Sequence, residues 1–174
     1  LGVLFATPTV AGLAAGLDAG SGVDPDHGLA PVIALARGDT RHAPLFAVHP
    51  AGGIAWCYRE LARTLAPTRS VFGLQSPALD LAQPLPGSIE VLAAEYVERV
   101  IALQPSGPVH LLGWSVGGIL AQAMATRLRS LGREVGLLAL LDAYPAEVWR
   151  AEPEPDPVAA LRALLAIAGY DPEA

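Results

Sequence analysis

Residues 109–118 are Val109-His110-Leu111-Leu112-Gly113-Trp114-Ser115-Val116-Gly117-Gly118, an apolar run that leads into a Gly-x-Ser-x-Gly pattern. The pattern predicts a strand up to Gly113, a helix from Val116 onward, and Ser115 on the sharp turn between them. A serine hydroxyl is a poor nucleophile, so it must project from such a turn to where a base can reach it. Flanking glycines let the turn close, and the helix N-terminus offers free N–H groups. Ser115 is therefore the candidate nucleophile, and the Val116 N–H is a candidate donor to a developing oxyanion.

Short apolar runs and helical patterns alternate from about residue 32 onward. The predicted strands cover residues 45–49, 70–74, 109–113 and 135–142. The predicted helices cover residues 55–65, 88–103, 116–131 and 158–168. The strand runs are continuously apolar, which is typical of parallel strands buried on both faces. Strands and helices at this spacing indicate a parallel α/β sheet with right-handed crossovers.

Two further segments lie where strands of this sheet would end. Asp142 follows the apolar run 136–141, and the loop His49-Pro50-Ala51-Gly52-Gly53 closes another predicted strand. Ligands of open α/β sheets bind at the carboxyl ends of the strands, so Asp142 and Ser115 should share one edge of the sheet. A backbone N–H from the 49–53 loop can supply the second half of an oxyanion hole. The arrangement therefore predicts an α/β-hydrolase fold with a serine acyl-transfer site.

The general base of such a site is missing from this sequence. In α/β-hydrolases the triad runs in chain order from serine to Asp or Glu and then to histidine. All four histidines precede Ser115 in the chain; they are His27, His42, His49 and His110. His49 lies in the predicted oxyanion loop, which favours a structural role. We expect either that the chain is cut before its base or that this copy is inactive, and we favour the first because the sheet is also unfinished.

The composition argues against several classes of function. The chain has 174 residues, is 52% hydrophobic and carries a net charge of −6, which argues against nucleic acid and anionic membranes as partners. A single cysteine, Cys57, excludes an internal disulfide and is typical of a reducing cytoplasm. The N-terminus lacks the features of a signal peptide, and no run approaches the roughly 20 apolar residues of a membrane span. We therefore expect a cytoplasmic protein without a metal site.

Two segments precede the predicted sheet. Residues 1–17 are predicted to form a short amphipathic helix whose apolar face comprises Val10, Leu13, Ala14 and Leu17. Residues 18–31 are rich in Gly, Asp and Pro and poor in large apolar residues. That composition is typical of a linker, so we expect a domain boundary there.

Four segments in combination are far more specific than the serine motif alone: Pro44–Gly53, Gly73–Pro77, Gly107–Gly118 and Leu140–Pro145. Together they resemble the terminal (type I) thioesterase domain of non-ribosomal peptide synthetases, above all those that end siderophore synthetases of the enterobactin type. The resemblance covers roughly residues 32–174. Residues 4–13, Leu4-Phe5-Ala6-Thr7-Pro8-Thr9-Val10-Ala11-Gly12-Leu13, resemble the last helix of a peptidyl carrier domain. A carrier, a linker and a thioesterase follow one another in this order at the end of such synthetases.

The resemblance implies a division of the chain and a role for each site residue. Residues 1–17 would be the C-terminal helix of a carrier domain, 18–31 a linker, and 32–174 a thioesterase domain of α/β-hydrolase fold that is incomplete at its C-terminus. The stretch after the last strand would be the start of a helical lid. The implied catalytic residues are Ser115 as nucleophile and Asp142 as the residue that orients a histidine beyond residue 174. The implied oxyanion donors are the N–H groups of Ala51 and Val116.

The resemblance also implies the reaction and its partners. An acyl or peptidyl chain would move from a carrier-bound phosphopantetheine thioester to Ser115 and would then leave by hydrolysis or macrocyclisation. The peptidyl carrier domain of the same synthetase would be the partner, and the thioesterase itself would bind no cofactor. One alternative is a free-standing editing thioesterase or esterase, against which residues 1–17 argue. Another is a non-catalytic docking domain of hydrolase fold, which the missing histidine leaves open.

The missing base leads to a first prediction about the 174-residue chain on its own. Because Ser115 has no histidine to take its proton, we expect no burst of labelling when the chain is treated with a fluorophosphonate probe. The measurement is the stoichiometry and site of labelling by mass spectrometry. Rapid, stoichiometric labelling of Ser115 would show that a base is present within these residues after all.

Overall fold

A computed structural model describes residues 9–18, 28–80, 82–144, 156–167 and 169–171. The strands are β1 (Val32–Ala36), β2 (Leu45–Val48), β3 (Val71–Leu74), β4 (Val109–Trp114) and β5 (Val135–Leu141). They form one sheet in the order β1-β3-β2-β4-β5, in which β3, β2, β4 and β5 run parallel to one another. The predicted α/β architecture with a mostly parallel sheet is confirmed.

Five α-helices and two short 3₁₀ turns accompany the strands within the described residues. The helices are α1 (Val10–Asp18), α2 (Arg59–Leu65), α3 (Ile89–Leu103), α4 (Val116–Ser130) and α5 (Pro157–Ile167). The 3₁₀ turns are Trp56–Tyr58 and Pro77–Leu79. The Ser88 hydroxyl caps α3 by accepting a hydrogen bond from the Val91 N–H at 3.2 Å, as serine commonly does at helix N-termini. The predicted helix over residues 1–17 is seen from Val10, and residues 1–8 lie outside the described residues.

Strand β1 is the edge strand that the sequence pattern did not resolve. It pairs antiparallel with β3, with Val32 opposite Leu74 and a register shift between Ala34 and Ala36. A five-residue apolar run carries no signal for strand direction, because direction depends on how the preceding chain reaches the sheet. Antiparallel edge strands on otherwise parallel sheets are common.

Side chains of the central strand β2 alternate between two apolar cores. Phe46 and Val48 are fully buried in a core that α3 and α4 cover. Leu45 and Ala47 point to the opposite face, where they pack with Ala62 of α2. The period of two in side-chain direction and the burial of both faces explain why the strand reads as an unbroken apolar run.

The helices leave the two central strands on opposite faces of the sheet. Helix α2 follows β2 and belongs to one core, whereas α4 follows β4 and belongs to the other. Strands β2 and β4 are hydrogen-bonded neighbours. The chain therefore leaves the carboxyl ends of these two strands toward opposite faces, and open α/β sheets bind ligands at such a switch point.

The chain divides into two compact units, residues 1–143 and residues 144–174. In the second unit, helix α5 begins after Asp156, whose carboxylate accepts a hydrogen bond from the Ala159 N–H at 3.0 Å. Val158 and Leu161 on this helix are more than half exposed.

No helix within the described part of the chain is long and apolar enough to cross a membrane.

The two-sided core leads to a prediction for Phe46. Its side chain is 0% exposed in the central strand and stacks on Phe72 with 5.7 Å between ring centroids. Phe46→Ala should lower the free energy of unfolding by about 3–5 kcal/mol, because it removes buried apolar area and leaves a cavity. Chemical denaturation measures the change.

Leu85→Ala is the matched control, since the Leu85 side chain is 82% exposed and should contribute less than about 0.5 kcal/mol. Equal stability of the two variants would contradict the described core.

Candidate active site

Ser115 occupies a strained turn between β4 and α4. Its backbone has φ 56° and ψ −127°, a region that a residue with a Cβ atom rarely adopts. The Ser115 N–H donates to the Leu141 carbonyl at 2.9 Å, and the Ser115 carbonyl accepts from the Gly118 N–H at 2.9 Å. A conformation of this kind costs about 1–3 kcal/mol and persists only where the surrounding structure imposes it. This is the geometry of a nucleophile elbow, with the serine at the apex of a strand-to-helix turn.

Two glycines allow the elbow to pack directly against its neighbours. A Cβ atom on Gly117 would lie 2.5 Å from the carbonyl oxygens of both Val48 and His49. A Cβ atom on Gly113 would collide with the Gly117 carbonyl. A side chain on Gly117 would push the first turn of α4 away from the end of β2, and one on Gly113 would push it away from β4.

Asp142 follows β5 directly and adjoins the elbow. The last residue of β5, Leu141, is paired with Trp114, the residue before Ser115. Asp142 also has a positive φ, 45°, and is exposed. Ser115 and Asp142 thus come after paired residues of adjacent parallel strands, at the same edge of the sheet, as the sequence predicted.

The loop after β2 lies on the other side of the elbow. Val48, the last residue of β2, is paired with Gly113. The loop turns through a hydrogen bond from the Gly53 N–H to the Pro50 carbonyl at 3.2 Å, and Ala51 at its tip is exposed. The Gly53 carbonyl accepts from the Ser76 N–H at 2.9 Å, which ties the loop to the segment after β3. The predicted oxyanion loop therefore lies at the same end of the sheet as Ser115.

Tyr58 joins the two strand ends that carry the site, and the sequence analysis did not identify it. Its hydroxyl donates to the Val48 carbonyl at 2.8 Å and accepts from the Trp114 N–H at 2.9 Å. The side chain is 5% exposed, and burial raises the pKa of its hydroxyl well above the usual range. The hydroxyl therefore keeps its proton and can donate and accept at once.

Gln75 anchors the segment that enters the domain, and it too was missed as a site-supporting residue. Its Oε1 accepts from the Ala55 N–H at 3.1 Å, and its Nε2 donates to the carbonyls of Gly28 and Ala30, both at 3.0 Å. The side chain is fully buried, so these bonds satisfy polar groups that would be costly to leave unpaired. Gln75 thereby holds the base of the 49–55 loop to the incoming chain.

Among the described histidines, His49 lies nearest the site, but both of its ring nitrogens have partners. Nδ1 lies 2.7 Å from the Pro50 carbonyl oxygen, and Nε2 lies 2.8 Å from the Tyr96 hydroxyl. The residue is 6% exposed, and burial lowers the pKa of its imidazole. A ring with both nitrogens engaged has no free position to take the proton of Ser115.

The other described histidines lie at or near the amino ends of the strands, away from Ser115. His110 is the second residue of β4, and its Nδ1 accepts from Arg69 Nη1 at 3.0 Å. The strand from His110 to Ser115 spans about 17 Å at roughly 3.3 Å per residue. His42 precedes β2 and is exposed. His27 lies outside the described residues.

The arrangement brings the Ser115 side chain, the Asp142 carboxylate and a backbone loop to one end of the sheet. Backbone N–H groups at the start of α4 and in the 49–53 loop can stabilise a developing oxyanion near Ser115. Within the described ranges, no three His, Cys, Asp or Glu side chains lie close enough together to hold a metal ion. The chemistry that these residues support is acyl transfer through a serine ester.

Comparison with known proteins identifies the family. The model of the thioesterase domain family matches residues 43–172, well over half of the chain. The dimodular nonribosomal peptide synthase of Bacillus subtilis (strain 168) is 45% identical over 173 residues, which are 99% of this chain and 7% of that protein. Enterobactin synthase component F of Escherichia coli (strain K12) is 36% identical over 146 residues, 84% of this chain and 11% of that protein.

A solved structure supports the same assignment. The NocB thioesterase domain, in covalent complex with a fluorophosphonate nocardicin G analog, superposes with a TM-score of 0.69 at 33% identity. The match covers 83% of this chain and 62% of that structure. The chain thus spans less than two thirds of the NocB structure and only 7% and 11% of the two synthetases.

The tight backbone contact at the elbow leads to a prediction for Gly117. Gly117→Ala should displace the first turn of α4 from the end of β2, because the new methyl group would lie 2.5 Å from two carbonyl oxygens. We expect a loss of about 1–3 kcal/mol in the free energy of unfolding, as for other overpacked sites. Chemical denaturation of the variant measures this loss.

Gly87→Ala provides the control, since a Cβ atom there would meet nothing within 4 Å. If both alanine variants had the stability of the parent chain, the close packing at the elbow would be refuted.

Proposed function

The chain belongs to the thioesterase domain family, and on that premise we propose that it forms the nucleophile-bearing part of a terminal thioesterase in a non-ribosomal peptide synthetase. The substrate is an acyl or peptidyl chain held as a thioester on the phosphopantetheine arm of a peptidyl carrier domain. Ser115 accepts the chain, and water or an internal amine or hydroxyl then releases it.

The proposed reaction has two halves that share one oxyanion site. A base takes the proton of Ser115 as Oγ bonds to the thioester carbon, and the carbonyl oxygen becomes an oxyanion. The N–H groups of Ala51 and Val116 donate to that oxyanion, each lowering the barrier by about 2.7–4 kcal/mol. The C–S bond then breaks, and the departing thiolate takes the proton. In the second half the releasing nucleophile attacks the seryl ester and Ser115 regains its proton.

The base in this proposal is a histidine that Asp142 orients and that lies outside the described residues. The positions of the described histidines support this view. His49 has both ring nitrogens engaged, and His110 is bonded to Arg69 near the start of β4. Asp142 is exposed at the site edge, where it can accept the Nδ1–H of an incoming imidazole.

One observation carries the proposal above all others: Ser115 holds a positive φ of 56° at the turn from β4 into α4. Nothing in the packing of an ordinary strand–helix connection requires a strained serine. Strain of this kind accumulates at catalytic positions, where it presents a side chain that an unstrained turn would bury.

The N-terminal residues support a place at the end of a synthetase rather than a free-standing thioesterase. The similarity to the Bacillus synthase extends over 99% of the chain. Helix α1 leaves Val10 86% exposed, so part of its apolar face lacks a cover in the described residues. We propose that residues 1–17 end a carrier domain, that 18–31 link it to the thioesterase at 32–174, and that the synthetase is cytoplasmic.

The role of Ser115 is tested by removing its hydroxyl in the intact synthetase. We expect Ser115→Ala to lower kcat for hydrolysis of butyryl-N-acetylcysteamine thioester by about 10³-fold or more, because no acyl-enzyme can form. Release of the free thiol, followed with a chromogenic disulfide, measures the rate.

Ser106→Ala is the control, since Ser106 lies in the exposed loop before β4. If the Ser115→Ala enzyme hydrolysed the thioester as fast as the Ser106→Ala enzyme, the proposed function would be overturned.

A further inference from the structure

His49 is held between the loop after β2 and the middle of α3. It is 6% exposed, and its ring lies edge-on to Tyr96 with an interplanar angle of 88°. Its two hydrogen bonds are short: 2.7 Å from Nδ1 to the Pro50 carbonyl oxygen and 2.8 Å from Nε2 to the Tyr96 hydroxyl. The acyl-transfer mechanism gives this buried pair no role of its own.

The partners of the ring decide where its proton sits. A carbonyl oxygen can only accept, so Nδ1 must carry a hydrogen and donate to the Pro50 carbonyl. Burial lowers the pKa of His49 and so favours the neutral ring, in which Nε2 is an acceptor. Burial also raises the pKa of Tyr96, so the Tyr96 hydroxyl keeps its proton and donates it to Nε2. The pair therefore has one consistent arrangement of hydrogens, with Nδ1 as the donor.

The Pro50 carbonyl and the Ala51 N–H belong to one planar peptide group. In a trans peptide these two groups point in opposite directions, and no cis peptide bond occurs among the described residues. Fixing the direction of the Pro50 oxygen therefore fixes the direction of the Ala51 N–H. A rotation of this peptide would replace the N–H by a carbonyl oxygen, which repels an oxyanion.

The loop has little else to prevent that rotation. Gly52 and Gly53, with φ 93° and 81°, follow Ala51 and have no side chains to restrict the backbone. The Pro50 carbonyl also accepts from the Gly53 N–H, at the longer distance of 3.2 Å. The bond from His49 is the shorter of the two and comes from a ring that the core holds in place.

We propose that His49 and Tyr96 are positioning residues that hold the Pro50–Ala51 peptide with its N–H directed at the oxyanion site. The inference rests on the proposed function, because it takes the Ala51 N–H as an oxyanion donor. Tyr96 fixes the ring through Nε2, and His49 fixes the Pro50 carbonyl through Nδ1. Because that carbonyl and the Ala51 N–H share one peptide plane, the direction of the Ala51 N–H is fixed as well.

Two amide substitutions at His49 distinguish the effects of its two hydrogen bonds, one to Pro50 and one to Tyr96. The side-chain amide of Asn reaches about as far as Nδ1, so His49→Asn can still donate to the Pro50 carbonyl. The amide of Gln reaches about as far as Nε2, so His49→Gln keeps the contact with Tyr96 and loses the bond to Pro50. If His49 had a merely structural role, losing its bond to Pro50 would not lower the activity more than losing its contact with Tyr96.

The test compares both variants in the intact synthetase with butyryl-N-acetylcysteamine thioester. We expect His49→Gln to lower kcat about 10- to 100-fold with KM changed less than about 3-fold, because the lost interaction exists only in the transition state. His49→Asn should keep kcat within about 5-fold of the parent. Tyr96→Phe should lower kcat by a few-fold, since the ring keeps its bond to Pro50 but loses its second anchor.

His110→Gln is the control for replacing a partly buried histidine of the same sheet, and it should leave kcat unchanged. Equal kcat for His49→Gln and the parent, or equal losses in the Asn and Gln variants, would overturn the inference. Ser115→Ala in the same assay separates the two levels of the proposal. If that variant is inactive and His49→Gln is not, only the role of His49 fails; if Ser115→Ala is active, the proposed function fails as well.

Discussion

The first turn of helix α4 lies backbone to backbone against the end of strand β2, because Gly117 has no side chain to separate it from the Val48 and His49 carbonyls. The rest of the site depends on this contact. It sets the serine elbow beside the loop that begins at His49, while the pairing of β4 with β5 sets Asp142 on the other side. The chain leaves β2 and β4 toward opposite faces of the sheet, and open α/β sheets bind ligands at such a switch point.

Buried hydrogen bonds hold this arrangement, whereas the residues that carry the proposed chemistry are exposed or partly exposed. Tyr58 links the ends of β2 and β4, Gln75 links the loop to the incoming chain, and His49 with Tyr96 holds the Pro50 carbonyl. Such support outside the reacting groups is what keeps donors in place before charge develops, so that little reorganisation is needed during reaction. The same support explains how the strained backbone conformation of Ser115 persists in the folded state.

The sequence was sufficient for the parts of the structure that depend on local pattern. Apolar runs and helix caps predict the parallel strands and helices, and a glycine-flanked serine between them predicts the elbow. The supporting residues could not be found in this way. Tyr58 and Trp114 are 56 residues apart, and His49 and Tyr96 are 47 apart; each tyrosine lies in an unremarkable apolar pattern until the fold brings its partner near. The direction of β1 was equally hidden, because five apolar residues pair in either sense.

A crystal structure of the intact synthetase or its thioesterase region, with a phosphonate bound covalently to Ser115, tests the central claim most directly. The phosphonate oxygen then occupies the place of the oxyanion. The proposed arrangement predicts that this oxygen lies about 2.7–3.1 Å from the backbone nitrogens of both Ala51 and Val116. An oxygen held by other donors, with the Pro50 carbonyl turned toward it, would contradict the roles proposed for the elbow and the 49–53 loop.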